Sequence, residues 1–158
     1  WSGGSLGMGL SVCMGVAMAN RKKKVYCLIS DGELQEGQTW EAIMFAGHHK
    51  LGNLTLIIDD NRFQSLGETK KVIDLDPKIN KFIEFRWSAL NIDGHDKGML
   101  VDCLNMETEK PKVIIANTIK GYGVSFMAGD YTWHYRNLDK DGFKKAILEV
   151  NTSNSQKR

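Results

Sequence analysis

The stretch Val25-Tyr26-Cys27-Leu28-Ile29-Ser30-Asp31-Gly32 runs through consecutive apolar residues and then stops on a hydroxyl, a carboxylate and a glycine. A short apolar run with β-branched and aromatic members, and no polar alternation, fits a strand buried on both faces of a parallel sheet. The pattern recurs downstream. Leu54-Thr55-Leu56-Ile57-Ile58 ends in Asp59-Asp60-Asn61, and Val113-Ile114-Ile115-Ala116-Asn117 leads into a loop with Lys120-Gly121-Tyr122-Gly123. A weaker strand is expected over 87–92, ahead of Asp93-Gly94-His95-Asp96.

Between the strands the period turns helical. Trp40, Ile43, Met44, Gly47 and Leu51 share one face of a helix over 36–51. A helix is expected over 5–20, capped by Ser5, with Leu6, Leu10, Met14, Val16 and Ala17 as its apolar positions. Others are expected over 76–85 with Pro77 in the first turn, from an Asp96 cap to Met106, and over 140–150. Residues 62–73 read as a loop without period, Lys22-Lys23-Lys24 as a solvated turn, and 151–158 as a polar tail. This alternation gives an α/β protein with a parallel sheet flanked by helices. Ligands of such sheets sit beyond the carboxyl ends of the strands, which directs attention to Asp31-Gly32, Asp60-Asn61, Gly94-His95 and the 120–123 loop.

Composition narrows the function. The 158 residues are one domain's worth, and 42% hydrophobic residues are enough for a core. A net charge of +2 speaks against nucleic acid or an anionic membrane as partner. No apolar run reaches the roughly 18 residues that span a bilayer. Cys13, Cys27 and Cys103 form no CxxC pair, so a disulfide scaffold or structural zinc site is not expected, and a reducing, cytoplasmic compartment is. The start Trp1-Ser2-Gly3-Gly4, with no initiator Met or signal pattern, reads as a piece of a longer chain.

Asp31 and Asn61 each follow a buried strand, and one helix joins the two strands. A right-handed strand–helix–strand unit brings such loop ends to the same side of a sheet. A carboxylate and a carboxamide oxygen there are hard ligands that, with a backbone carbonyl and phosphate oxygens, can complete the shell Mg²⁺ demands; the same residue pairs also serve as ordinary turns and caps. Gly32 lets the backbone approach a phosphate, and the helix starting near Glu36 points its positive end at an anion.

Ser30-Asp31-Gly32-Glu33-Leu34-Gln35-Glu36-Gly37, then Trp40-Glu41-Ala42, then Asp60-Asn61 resembles the thiamine diphosphate motif of transketolases, a Gly-Asp-Gly stretch with Asn downstream. Gly4-Ser5-Leu6-Gly7-Met8-Gly9-Leu10, Ile92-Asp93-Gly94-His95, the 118–125 segment from Thr118 to Ser125, and Trp133-His134 also resemble that family, in the family's order. The resemblance runs from Gly4 to about Val150. It implies the thiamine diphosphate-binding fold, incomplete at the N-terminus, over residues 1–150.

It also implies roles. Asp31 and Asn61 would hold Mg²⁺ through side chains and Phe63 through its carbonyl; Gly32 would hold the cofactor diphosphate; Gly4, Ser5 and Leu6 would line the cofactor site. Lys120 and His134 would lie near the diphosphate and the reacting centre, His134 as the catalytic residue, and Glu36 at a subunit contact. The implied reaction is two-carbon ketol transfer between sugar phosphates. A pyrimidine-binding domain would lie on a missing C-terminal part or a separate subunit of a homo- or hetero-oligomer. Ser30 replaces the motif's first Gly, Tyr135 the Gly after the histidine, and Met8 a position where Gln or His is common. Two other readings are a non-catalytic assembly module and another thiamine diphosphate enzyme such as a deoxyxylulose phosphate synthase. Glu36-Gly37 with Trp40-Glu41-Ala42 favours transketolase over the latter. His48 and His49 read as surface or helix-packing residues, His95 as part of a turn and helix cap, Met8, Met14 and Met18 as core filler, and Cys27 as a small buried hydrophobe.

Overall fold

The expected buried strands form, and their register sets the tips side by side. A computed structural model describes residues 3–155. Its strands are β1 (Val25–Ser30), β2 (Leu54–Asp60), the short β3 (Phe63–Gln64) and β4 (Gly67–Glu68), β5 (Ser88–Asp93) and β6 (Lys112–Asn117). Its helices are α1 (Met8–Ala19), α2 (Gly37–His48), α3 (Thr69–Val72), α4 (Lys78–Glu84), α5 (Lys97–Asn105) and α6 (Lys140–Ser155), with 3₁₀ turns at Gly32–Gln35 and Tyr131–His134. The main sheet is parallel, in the order β1-β2-β6-β5.

That order matters for function. The chain passes from β1 to β2 at one edge and from β5 back to β6 at the other, so the direction of winding reverses between β2 and β6. Right-handed crossovers then put α2 and α5 on opposite faces. The buried residues divide accordingly. On one face Cys27, Ile29, Leu56, Ile58, Val113 and Ile115 pack with Leu10, Ile43 and Phe82 from α1, α2 and α4. On the other, Ile92, Ile114 and Ala116 pack with Leu100, Cys103 and Leu104 from α5. A reversal of this kind opens a crevice at the carboxyl ends of the two strands that flank it.

Several expectations are corrected in detail. β1 is buried on one face only: Val25, Cys27 and Ile29 face the core, while Leu28 is 69% exposed. β1 is an edge strand, and α5 sits over β5 and β6 instead. Helix α1 starts at Met8 without a cap from Ser5, because Gly7 takes a left-handed conformation (φ 86°) and turns the preceding segment away. Leu6, Met8, Val16 and Met18 are exposed, and only Met14 of the three methionines packs on the core. On α2, Met44 faces out. Pro77 stands at the cap of α4 rather than inside it. The expected 62–73 loop contains the β3–β4 hairpin and α3, elements too short to leave a period in the sequence. Helix α6 runs past Val150 to Ser155, and 156–158 lie outside the described residues.

The tightest helix contact rests on Gly47. A Cβ there would stand 1.9 Å from the Phe85 carbonyl oxygen, so only glycine lets α2 lie against the turn after α4. Trp87 reinforces the contact by donating its indole N–H to the Ile43 carbonyl at 2.9 Å. Gly47→Ala is expected to destabilise the fold by about 1–3 kcal/mol through overpacking, despite alanine's better helix propensity. Urea unfolding of the variant against the parent measures it.

Candidate functional site

Two adjoining cavities at the β2–β6 reversal gather Asp31, Asn61, Phe63 and Lys120 of the residues picked out in the sequence. A cavity of about 460 Å³ is lined by Asn61, Phe63, His95, Thr118, Lys120 and Tyr122, among others. An adjoining cavity of about 770 Å³ is lined by Asp31, Asp60, Thr69 and Lys78 and shares Arg62, Phe63 and Asn117 with the first. Three of the four strand-end loops thus meet at the first cavity, and the fourth opens into its neighbour. Asp31 and Asn61 stand at the tips of adjacent strands: Ser30 pairs with Asp59, and the Asp31 N–H donates to the Asp59 carbonyl at 3.2 Å.

Asp31 is fully buried. One carboxylate oxygen accepts the Gly32 N–H at 2.9 Å and the other accepts the Thr69 hydroxyl at 2.8 Å. Burial pushes its pKa up; the Thr69 bond offsets part of this, and the nearby Asp60 charge adds to the rise. Asp60 is 6% exposed. One of its oxygens lies 3.2 Å from the Lys78 ammonium, while the other is buried with no partner. Burial alone would depress Lys78, but Asp76 and Asp60 outweigh it and its pKa stands above the ordinary lysine value. Two buried carboxylates beside each other, one oxygen unsatisfied, leave the strand tips short of positive charge.

Asn61 is held by its neighbours. Its Oδ1 accepts the Phe63 N–H at 3.0 Å, and its Nδ2 donates to Asp59 Oδ2 at 3.1 Å. Lys120 sits in a loop that Gly121 makes possible: its φ of 71° is left-handed, and a Cβ there would meet the Met127 carbonyl at 2.5 Å. His95 has a job beyond the expected turn and cap. Its Nε2 accepts the Ile119 N–H at 2.9 Å and its ring stacks on Tyr122 at 3.7 Å, holding this loop over the cavity.

Other candidates lie further out. Gly32 is pressed against Gln64, whose Cβ would stand 3.1 Å from an added Cβ. Gly4, Ser5 and Leu6 are exposed and line neither cavity. They are brought towards the β1 tip by Gly7, whose N–H donates to the buried Glu33 Oε1 at 3.0 Å. Glu36 is exposed at the cap of α2. His134 is exposed, with its ring 4.8 Å from Tyr135, in a turn whose Tyr131 stacks on Phe63 at 6.5 Å. His48 and His49 close α2 against each other and Phe45, as expected of helix packing. The sequence reading missed Glu33, Asp59, Thr69 and Lys78, and singled out Asp60 only as the neighbour of Asn61. Asp59-Asp60 looked like a polar strand end, and nothing local ties Thr69 or Lys78 to residues so distant in the chain.

Among the described residues no three His, Cys, Asp or Glu side chains converge as a metal cluster. The oxygen-bearing side chains at the tips are instead mixed, the Asp31 carboxylate on one and the Asn61 carboxamide on the next. With the unpartnered Asp60 oxygen and the buried Asp31 carboxyl, these hard oxygen donors are of the kind that would suit a divalent cation such as Mg²⁺.

Comparison with known proteins identifies the family. The family described as "Transketolase, thiamine diphosphate binding domain" matches residues 2–153. One subunit of the apulose-4-phosphate transketolase of Actinobacillus succinogenes is 40% identical over 93% of the chain and 55% of its own length. Human transketolase is 35% identical over 93% of the chain and 24% of its own length. The crystal structure of transketolase from Campylobacter jejuni superposes with a TM-score of 0.88 at 32% identity, covering 94% of this chain and 25% of that one. The chain spans about half the length of the bacterial subunits it matches.

A raised pKa at Asp31 means that the fold prefers the protonated carboxyl. Its contribution to stability is full below the ordinary aspartate value of about 3.9 and is lost as pH rises through the higher native value. Asp31→Asn, which keeps both hydrogen bonds if Thr69 accepts, is expected to remove that loss and raise the urea midpoint of the metal-free protein at pH 7. Unfolding across a pH series checks it.

Proposed function

We propose a function from one premise: the chain belongs to the transketolase family, in its thiamine diphosphate-binding domain. It binds the diphosphate end of thiamine diphosphate through Mg²⁺, within a protein that moves a two-carbon ketol unit between sugar phosphates. The observation that carries this reading is the pairing of Asp31 and Asn61 at adjacent strand tips beside the β2–β6 reversal. Asp31 and Asn61 would hold the ion through side chains and Phe63 through its carbonyl. Gly32 would lie against the diphosphate, and Gly4, Ser5 and Leu6 would line the cofactor on the α1 side. When bound, the cofactor supplies the carbon nucleophile of the reaction.

The chain's own residues supply placement and charge. Thr69 fixes the Asp31 carboxylate, and His95 fixes the loop that presents Lys120 to the cavity, where its ammonium attracts phosphate oxygens. His134 lies on a turn packed on the Phe63 hairpin, from which we assign it contact with the reacting centre. The exposed Glu36 would meet a neighbouring subunit. A pyrimidine-binding domain, on the same polypeptide or on a second subunit, completes the site. The second arrangement is supported by relatives named as subunits of transketolases, one for apulose-4-phosphate and one for 6-deoxy-6-sulfo-D-fructose. A cytoplasmic setting accords with three free cysteines.

Asp31→Ala is expected to weaken Mg²⁺-dependent binding of thiamine diphosphate by at least about 100-fold, since outer partners of metal ligands alone are worth about 10–100-fold. Isothermal titration of the native protein tests it, and unchanged affinity would refute the assignment. This chain without the pyrimidine domain is expected to show no ketol transfer in a coupled sugar-phosphate assay.

A further inference from the structure

A carboxamide serves a metal ion only when its oxygen faces the ion, and its two ends are nearly the same shape. Asn61 is tied at both ends here. Its Nδ2 donates to Asp59 Oδ2 at 3.1 Å, and its Oδ1 accepts the Phe63 N–H at 3.0 Å. An ionised carboxylate only accepts, so a flipped Asn61 would set oxygen against oxygen at Asp59 and nitrogen against nitrogen at Phe63. The other Asp59 oxygen accepts the Thr118 hydroxyl, and the Thr118 N–H donates to the Asp60 carbonyl at 3.2 Å. One carboxylate therefore spans the crevice between β2 and β6, with an oxygen committed to each loop.

We infer that Asp59 is a positioning residue: it fixes the Asn61 carboxamide with its oxygen available to Mg²⁺ and ties the Thr118–Lys120 loop to the same point. This rests on the reading of Asn61 as a metal ligand. Asp59 acts through Asn61 and not on the ion. Both its oxygens are engaged. Asp59 itself does not line the Asn61–Phe63–Lys120 cavity; it lines a hollow on the α5 side with Leu28, Ile57 and Ala116, and Asn61, Thr118 and Lys120 border both spaces. The orientation of Asn61 and the placement of Lys120 thus share one anchor. Holding a ligand in one geometry before the ion arrives is how outer partners raise metal affinity.

The test is a Mg²⁺ titration at saturating thiamine diphosphate, followed calorimetrically in the native protein carrying this chain, with the thermal midpoint of the metal-free protein measured alongside. Asp59→Ala is expected to raise the Mg²⁺ midpoint about 10–100-fold. Asp59→Asn is expected to recover most of it, because its oxygen can still accept from Asn61 while its NH₂ donates to the Thr118 oxygen. A normal Mg²⁺ midpoint in Asp59→Ala, with or without a lower thermal midpoint, would overturn the inference. So would an Asp59→Asn as weak as Asp59→Ala, which would point to charge instead of orientation. If Asp59→Ala fails to fold, Thr118→Val decides: a raised Mg²⁺ midpoint supports the role and an unchanged one overturns it. Asp31→Ala separates the two layers. If it loses binding while Asp59→Ala does not, only the Asp59 role fails; if it binds normally, the metal site and the Asp59 role fail together.

Discussion

Burial of acidic side chains at the tip of the sheet is the constraint on which the rest of the molecule turns. Asp31 and Asp60 have lost almost all contact with water, and each is held by a single long-range partner, Thr69 in one case and Lys78 in the other. A protein interior tolerates such charges only when they are hydrogen-bonded and balanced. Here the hydrogen bonding is nearly complete and the balance is not, since one Asp60 oxygen has no partner and burial drives the Asp31 pKa up. A divalent cation at the tips, as proposed above, would supply what is missing. The elements between β2 and β5 make sense in the same light: α3 delivers Thr69 and the start of α4 delivers Lys78, both to carboxylates on the neighbouring tips.

The sheet order does the complementary work. Because winding reverses between β2 and β6, the loops after those strands part and leave a crevice instead of closing over it. Asn61 and Lys120 enter it from opposite sides, and His95 enters from β5. A lysine ammonium and a carboxamide oxygen therefore face one space, with the Asp31 carboxylate in the adjoining one. The Asp59 carboxylate holds the two sides of the crevice in fixed relation.

Much of this was legible in the sequence because its signals are local. β2 and β6 announce themselves by apolar runs, and each ends on the polar residues that matter. Asp96 caps α5 as its position implied, accepting the Met99 N–H at 3.0 Å. Asp31 and Asn61 could be paired because one helix links their strands. What could not be read depends on contacts between distant segments. Thr69 sits in a stretch without period, and its bond to Asp31 crosses 38 residues. Glu33 looked like one more acidic residue in a motif, yet it is buried and receives the Gly7 N–H. The exposure of Leu28, Met8 and Val16 shows the converse limit: apolar periodicity marks the faces that can be buried, and packing decides which of them are.

The central claim is that one divalent ion sits between the β1 and β2 tips. Crystals of the native protein grown with thiamine diphosphate and Mn²⁺ in place of Mg²⁺ address it through anomalous scattering. The account predicts one strong peak at about 2.1 Å from an Asp31 carboxylate oxygen, Asn61 Oδ1 and the Phe63 carbonyl, on the assumption that Mn²⁺ takes up the Mg²⁺ geometry. A peak bound by Asp60 without Asp31, or one at a site away from both strand tips, would contradict it.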